Sequence, residues 1–431
     1  MNFLKKQSPV RIISLGFALV ILIGSVLLSL PCSIRDGVTL RYIDALYMST
    51  SAVCVTGLLT VDAGDTFTPL GQFFLGMLIQ VGGLGVTAVG TGVILAMGKK
   101  INLKARNLIR EAGNLDSGKG VIRFIRLVFL TTVTFELAGA ALSFLVFRKS
   151  FPPLKAAGVS LFHSVASFNN SGFDILGGGQ NLIPYQDDVL LNLVTCALVI
   201  FGGIGFLVIR EVIAKRFRWK KLSMHTKVVL FMSLVLTAAG TVLLKLTEDI
   251  TWMGAFFTSV SARTAGFSTF PLGSFSSAGL LTVIVLMVIG ASPGSTGGGI
   301  KTTTCYVLFE GIRSSATNTS EKAFRYAVPA DAFRKAAVIT LLAIGIVLSG
   351  TYILVILEPG VPLLDALFEM SSAFGTAGLS TGISAGLCDA AKILTILIMF
   401  IGRLGPLTIA SLWYFTKGER VSYPEGNIAI G

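Results

Sequence analysis

Charge is scarce in this sequence. Asp, Glu, Lys and Arg make up 13% of its 431 residues, about half of what a soluble domain carries. With 53% hydrophobic residues and a mean hydropathy of +0.80, that scarcity excludes an ordinary soluble chain and makes a bilayer the natural solvent. Histidine is scarcer still: His163 and His225 stand alone, with no ligand cluster around either, so no metal centre is expected. The five cysteines (Cys32, Cys54, Cys196, Cys305, Cys388) are odd in number, widely spaced and never C-x-x-C. They exclude a disulfide framework and a zinc site, and read as small apolar fillers. No nucleophile, base and orienter arrangement is present, so no enzyme is expected. Nor is there a polar block large enough to fold separately, which leaves one membrane domain. Lys5 and Lys6 before the apolar run Ile12 to Leu30 suggest a signal peptide, but the run is long and lacks an A-x-A-like cleavage site. It reads as a retained first span.

What charge there is carries a sign bias, with a formal net charge of +13. The basic residues gather in Lys99 to Arg126, Arg210 to Lys227 and Lys301 to Lys335, with Lys5, Lys6 and Arg11 at one end and Lys417 and Arg420 at the other. Between them lie acidic or neutral segments such as Asp62 to Asp65, Asp187 and Asp188, and Glu248 and Asp249. That alternation is positive-inside asymmetry and predicts a multi-pass protein of the cell inner (plasma) membrane with both termini cytoplasmic. Anionic membrane lipids fit these clusters. Nucleic acid does not, because no aromatic stacking residues are interleaved with the charges.

Four segments resemble one another. Each is a short helix-like stretch leading to a polar turn on glycine: Ile43 to Gly57, Leu161 to Gly172, Ala255 to Gly266 and Leu364 to Gly378. A dozen residues at 1.5 Å each reach roughly 18 Å, short of a hydrocarbon core of about 30 Å, so each can only enter and stop. Apolar runs flank them at about 11–30 and 69–97, 123–147 and 189–213, 226–246 and 278–312, and 336–357 and 391–415. The expected fold is an all-α polytopic membrane protein of four parallel helix, pore-loop, helix repeats. It has eight transmembrane helices plus four re-entrant pore helices, with pseudo-fourfold symmetry around a single pore. The repeats are 1–98, 121–215, 224–314 (with a broken second span) and 332–418, followed by a cytoplasmic tail, 419–431.

The turns read Val55-Thr56-Gly57, Asn170-Ser171-Gly172, Thr264-Ala265-Gly266 and Thr376-Ala377-Gly378. Helix C-termini carry partial negative charge, and glycine permits the positive φ that turns carbonyl oxygens toward an axis, so four converging turns suit a cation. Glycine also caps ordinary helices. Four matched settings at membrane depth favour the ion role, because buried backbone dipoles there need a partner. Asp44 and Asp365 read as helix caps rather than ligands.

The third repeat departs from the others in Ile289 to Lys301, where Pro293 and a run of glycines cannot remain helical and must face water or protein. Gly290, Ser292, Gly294, Gly297, Gly298 and Gly299 are expected to form a gate below the filter. Ile300 separates the last glycine from Lys301 and no strand precedes the loop, which excludes a phosphate-binding P-loop. Arg403, halfway along the last apolar run, is expected either to set an electrostatic barrier or to hold the loop closed by binding its carbonyls. The glycines of Gln80 to Gly85 and Phe201 to Gly205 read as packing positions, and Glu136 either as a hydrogen-bonding group within its bundle or as the mark of a second site.

These turns, the glycine-rich loop and the intramembrane arginine resemble the Trk/Ktr/HKT potassium transporters, which keep one filter glycine per repeat. With the ending Tyr423-Pro-Glu-Gly, the chain is most similar to the Ktr membrane subunit. The resemblance implies potassium (K+) as the transported ion, with glycine rather than serine at Gly57, sodium (Na+) as a candidate activator, and no organic cofactor. It further implies a homodimer on a cytosolic RCK/KtrA-like nucleotide-binding regulatory ring; the loops holding Arg106 and Arg110, Arg216 and Lys220, and Arg313 and Arg325, with the tail near Tyr423, are the candidate contacts, or serve only as topology determinants. The competing readings are a sodium- or proton-coupled carrier, which the repeat orientation disfavours, and an intramembrane enzyme.

Overall fold

The computed structural model describes residues 9–96, 121–329 and 331–411. Expectations that fall on Lys5, Lys6, Lys99 to Lys119, Tyr423 and the 419–431 tail lie outside the described residues. The described chain is helical: α1 Pro9–Leu28, α2 Tyr42–Cys54, α3 Pro69–Leu84, α4 Val86–Ala96, α5 Val121–Phe147, α6 Pro153–Phe168, α7 Val189–Ile204, α8 Phe206–Ala214, α9 Met224–Thr247, α10 Trp252–Ala262, α11 Ser277–Val288, α12 Thr302–Thr317, α13 Ala332–Leu357, α14 Leu363–Gly375, α15 Asp389–Leu404 and α16 Pro406–Ser411. A two-residue hairpin pairs Lys322–Ala323 with Tyr326–Ala327. Helix starts follow local chemistry. Thr68, Asp188, Thr251 and Ser276 each accept the backbone N–H three residues on, which is worth about 1 kcal/mol apiece.

Leucines and other large apolar residues point outward at helical spacing, as with Leu15, Leu19, Leu22 and Val26 on α1 or Leu341, Leu348 and Tyr352 on α13. Serines and threonines such as Ser49, Thr50, Ser164 and Ser259 are buried. This reverses the water-soluble pattern and marks a protein in a bilayer. Helices α1, α5, α9 and α13 are long and apolar enough to cross a membrane, and α7 with α8 makes a fifth if that bent pair is one span.

The second apolar runs differ from expectation. Only the third was expected to break, yet among the described residues all four do: α3 ends at Gly85 (φ 85°), α7 at Gly205 (φ 92°), α15 at Gly405 (φ 89°), and α11 at the glycine-rich loop. Helix continuation needs φ near −60°, so a glycine held at +85° to +92° turns the axis. At Gly205 the turn is 96°.

The packing is cyclic. Each short helix sits between the two longer ones that flank it in sequence, and α3 packs on α6, α7 on α10, α11 on α14, and α15 back on α2. The approach is close because glycine faces serine. Ser49 donates to the Ile21 carbonyl (2.7 Å) beside Gly24, Ser164 to Glu136 (2.6 Å) beside Gly139, and Ser259 to Thr237 (2.9 Å) beside Gly240. In the fourth segment Gly350 meets Met370 and Ile398 instead.

Candidate cation pathway

The short helices α2, α6, α10 and α14 aim their C-terminal ends at one place. Two residues before each turn glycine, a non-glycine residue is left-handed: Val55 (φ 56°), Asn170 (φ 60°), Thr264 (φ 80°) and Thr376 (φ 49°). The glycines are also positive: Gly57 (φ 95°), Gly172 (φ 69°), Gly266 (φ 77°) and Gly378 (φ 81°). A left-handed β-branched residue is disfavoured by about 1–3 kcal/mol, so its repetition at three of four matched positions signals a backbone held to a purpose. Between the positive pairs, Thr56, Ser171, Ala265 and Ala377 are of ordinary hand, and all twelve turn residues are buried. An extended strand points successive carbonyls to opposite sides, whereas alternating hand brings them to one side.

The glycines form a ring. A Cβ on Gly57 would overlap the Ser171 carbonyl oxygen, one on Gly172 would lie 2.8 Å from that of Ala265, one on Gly266 would lie 2.9 Å from that of Ala377, and one on Gly378 would overlap that of Thr56. Each segment thus presses on the next and the fourth on the first, leaving no room for any side chain. The turns are braced from behind by different groups. Ser51 accepts from the Gly57 N–H (3.0 Å), Asn181 donates to the Gly172 carbonyl (3.2 Å), Ser261 donates to that of Phe267 (2.5 Å), and buried Glu369 accepts from Ser380 (2.8 Å) and Ser384.

On one side of the ring lies a cavity of about 480 Å³ bordered by Gly57, Gly266, Gly378, Asp62 and Asp174. Asp174 sits in the connection between α6 and α7. Burial pushes its carboxyl up to about 7; the Leu176 N–H opposes the shift, while Asp62 and Asp65 add to it. A second cavity, of about 390 Å³, is bordered by Pro293, Gly294, Gly297, Lys301 and Arg403. One cavity has acidic groups on its wall and the other has basic ones.

The loop Ile289 to Lys301 lies against the ring. Ile289 and Ile300 bridge in parallel, so the chain leaves and rejoins at the same level. Gly290 is crowded by Gly298 and Gly299 (φ 69°), and Gly294 (φ 70°) accepts from the Phe206 N–H at 3.1 Å. Ser292 donates its N–H to the Gly203 carbonyl (3.0 Å) and its hydroxyl meets that of Thr302 (2.9 Å). Gly297 abuts Thr264, and the Gly298 N–H donates to Thr376 Oγ1 at 2.9 Å. Arg403, half-buried, donates to the carbonyls of Thr296 and Gly82, with Gly83 at 3.4 Å. It thereby ties the loop to α3 and α15 together. The Asn170 amide lies 3.2 Å from Thr264 Oγ1.

Several groups escaped the sequence reading. Lys301 donates to the carbonyls of Gly297 (2.8 Å) and Gly298 (3.3 Å), a second cation clamping the loop. Asp44, read as a cap, instead pairs with buried Lys392 and with Arg41. Arg263, beside Thr264, donates to Ser233 of α9. Charged residues inside apolar runs were the available signal for Lys301 and Lys392; nothing in the sequence gave their partners. Glu136 accepts from Asn169 (3.0 Å), which also donates to Gln80 (2.8 Å), and His163 meets Thr195 at 2.9 Å. No cluster of three or more His, Cys, Asp or Glu able to hold a metal occurs among the described residues. Glycines 82, 202 and 402 face the carbonyls of Val53, Phe168 and Phe374, the ends of three short helices, so their role is close packing.

Comparison with known proteins gives a consistent result. The family model for TrkH, a cation transport protein, matches residues 13–416. The chain is 36% identical to Ktr system potassium uptake protein B of Bacillus subtilis (strain 168), over 98% of this chain and 97% of that one. It is 35% identical to potassium/sodium uptake protein NtpJ of Enterococcus hirae, over 99% and 98%. In structure it is similar to the crystal structure of the potassium transporter TrkH from Vibrio parahaemolyticus, with a TM-score of 0.75, 19% identity, and coverage of 95% of this chain and 86% of that one.

Proposed function

This chain belongs to the TrkH family of cation transport proteins, ion transporters rather than enzymes, and on that premise we propose that it takes up potassium through a channel-like pore in the cell membrane. The observation that carries the proposal is the glycine ring, in which four positive-φ glycines each meet the neighbouring segment's carbonyl. Carbonyl oxygens gathered in this way replace the water shell of a monovalent cation, and short-helix C-termini add partial negative charge behind them. The fold under this reading is four parallel helix, pore-loop, helix units around one axis, with Val55 to Gly57, Asn170 to Gly172, Thr264 to Gly266 and Thr376 to Gly378 as the filter. The cyclic packing of α3 on α6 through α15 on α2 supports it.

In the same reading the glycine-rich loop and Arg403 form the gate, and the acidic cavity is the outer vestibule. A gate responds to a ligand only through differential affinity for its two states. In this reading the bias comes from a cytosolic nucleotide-binding ring beneath a homodimer; a similar protein is named as part of a Ktr system, which fits a partner outside this chain. Sodium stands as a second ion to be tested, since one similar protein is called a potassium/sodium uptake protein. Flux of labelled potassium, rubidium and sodium into liposomes holding the purified chain alone tests the proposal. Downhill potassium flux without a sodium or proton gradient is the expected result; strict dependence on such a gradient would replace the channel with a carrier.

A further inference from the structure

Of the four left-handed residues at the ring, Thr376 is the one whose side chain hydrogen-bonds the backbone of the glycine-rich loop. Val55 has no polar atom, and the side chains of Asn170 and Thr264 face each other at 3.2 Å. Thr376 accepts the Gly298 N–H at 2.9 Å, in a fully buried contact. The seat admits nothing larger: a Cβ on Gly298 would lie 2.8 Å from Thr376 Cγ2 and 3.2 Å from the Gly402 carbonyl oxygen, and one on Gly299 would lie 3.4 Å from Gly375 Cα. Thr376 is itself held at φ 49° despite its β-branch, which fixes its hydroxyl relative to the turn that leads to Gly378.

We propose that Thr376 is a positioning residue that latches the gating loop to the ring, its hydroxyl oxygen serving either the Gly298 N–H or a cation at the ring's lower edge. The inference rests on the pathway reading above and deepens it. A hydroxyl oxygen offers lone pairs to a donor or to a cation. With the loop seated, the Gly298 N–H puts its positive end where a cation would draw on that oxygen. With the loop withdrawn, the oxygen is released to the pathway. Loop seating and occupancy of that position are then coupled, and the coupling is reciprocal: an ion there favours withdrawal, and withdrawal strengthens ion binding. Asn170 and Thr264 bond to each other and hold no backbone group of the loop by a hydrogen bond.

The test uses the full chain in liposomes, with Thr376→Val (same shape, no hydroxyl) and Thr376→Ser (hydroxyl kept). Loss of one net hydrogen bond of about 1 kcal/mol from the closed state should raise maximal rubidium flux about fivefold in Thr376→Val and raise the half-saturating concentration with it. Thr376→Ser should stay within about twofold of the wild type. Hydrogen exchange of the 289–301 peptide supplies a readout independent of transport: faster in Thr376→Val, restored in Thr376→Ser. Wild-type flux and exchange in Thr376→Val, or a Thr376→Ser variant that behaves like Thr376→Val, would overturn the latch while leaving the pore intact. A wild-type protein that moves no cation would remove the pathway reading and the latch together.

Discussion

Lys392 on α15 places its ammonium 2.6 Å from the Asp44 carboxylate on α2, both side chains buried, so one ion pair joins the last segment of the chain to the first. Arg41 bridges Asp44 (3.1 Å) and Asp389 (2.9 Å) at the rim of the same contact. The pair reinforces the packing of α15 on α2 that completes the cyclic arrangement.

Removing Asp44 leaves the Lys392 ammonium buried alone, a loss of about 3–5 kcal/mol, and removing Lys392 leaves the buried Asp44 only the exposed Arg41. Lys392→Met or Asp44→Asn should therefore lower the melting temperature in detergent sharply, and the double variant should recover most of the loss. A loss in the double variant equal to the sum of the two single losses would mean that the two charges act separately.

Arg403→Ala removes the donors to Thr296, Gly82 and Gly83. Hydrogen bonds from a charged donor contribute about 1.5–3 kcal/mol, so if they hold the closed state, potassium flux should rise roughly tenfold to a hundredfold. A folded variant with unchanged or reduced flux would make Arg403 a scaffold.

Asp174 is protonated below about pH 7 and ionised above it. Its negative charge then concentrates cations in the vestibule, so uptake at low potassium should fall as external pH drops from about 8 to about 6. Asp174→Asn should flatten that profile. The raised value also means that the folded state holds the proton more tightly than the unfolded chain, so this group takes stability away as pH rises from the ordinary carboxylate range through 7. Asp174→Asn should accordingly melt higher than the wild type at alkaline pH. A wild-type pH profile in the variant would exclude Asp174.

Glycines on the broken helices should differ in tolerance. Gly202→Ala drives a Cβ into the Phe168 carbonyl, whereas Gly90 has nothing within 4 Å. Thermal melts should show Gly202→Ala destabilised by about 1–3 kcal/mol and Gly90→Ala neutral or slightly stabilised.

The membrane setting and the four glycine turns were legible because they depend on composition and on a local pattern that recurs along the chain. The loop from Ile289 to Lys301 was legible for the same reason, since Pro293 and its glycines forbid a helix whatever surrounds them. Gly85, Gly205 and Gly405 were not read as breaks. A single glycine in an apolar run is compatible with a straight helix, and the positive φ that breaks it is set by tertiary packing that no local pattern records. The partners of Asp44 and Thr376 were hidden more deeply, because Lys392 and Gly298 are remote in sequence and reach them only through the packing of one segment on another.

The central claim is that the ring of four glycines selects the ion, and the flux ratio of potassium to sodium in liposomes containing the wild type, Gly57→Ser or Gly266→Ser tests it most directly. The wild type should prefer potassium strongly, and both variants, with a side chain forced against the Ser171 or Ala377 carbonyl, should lose much of that preference while still conducting. Wild-type ratios in both variants, in protein that is folded and inserted, would contradict the assignment.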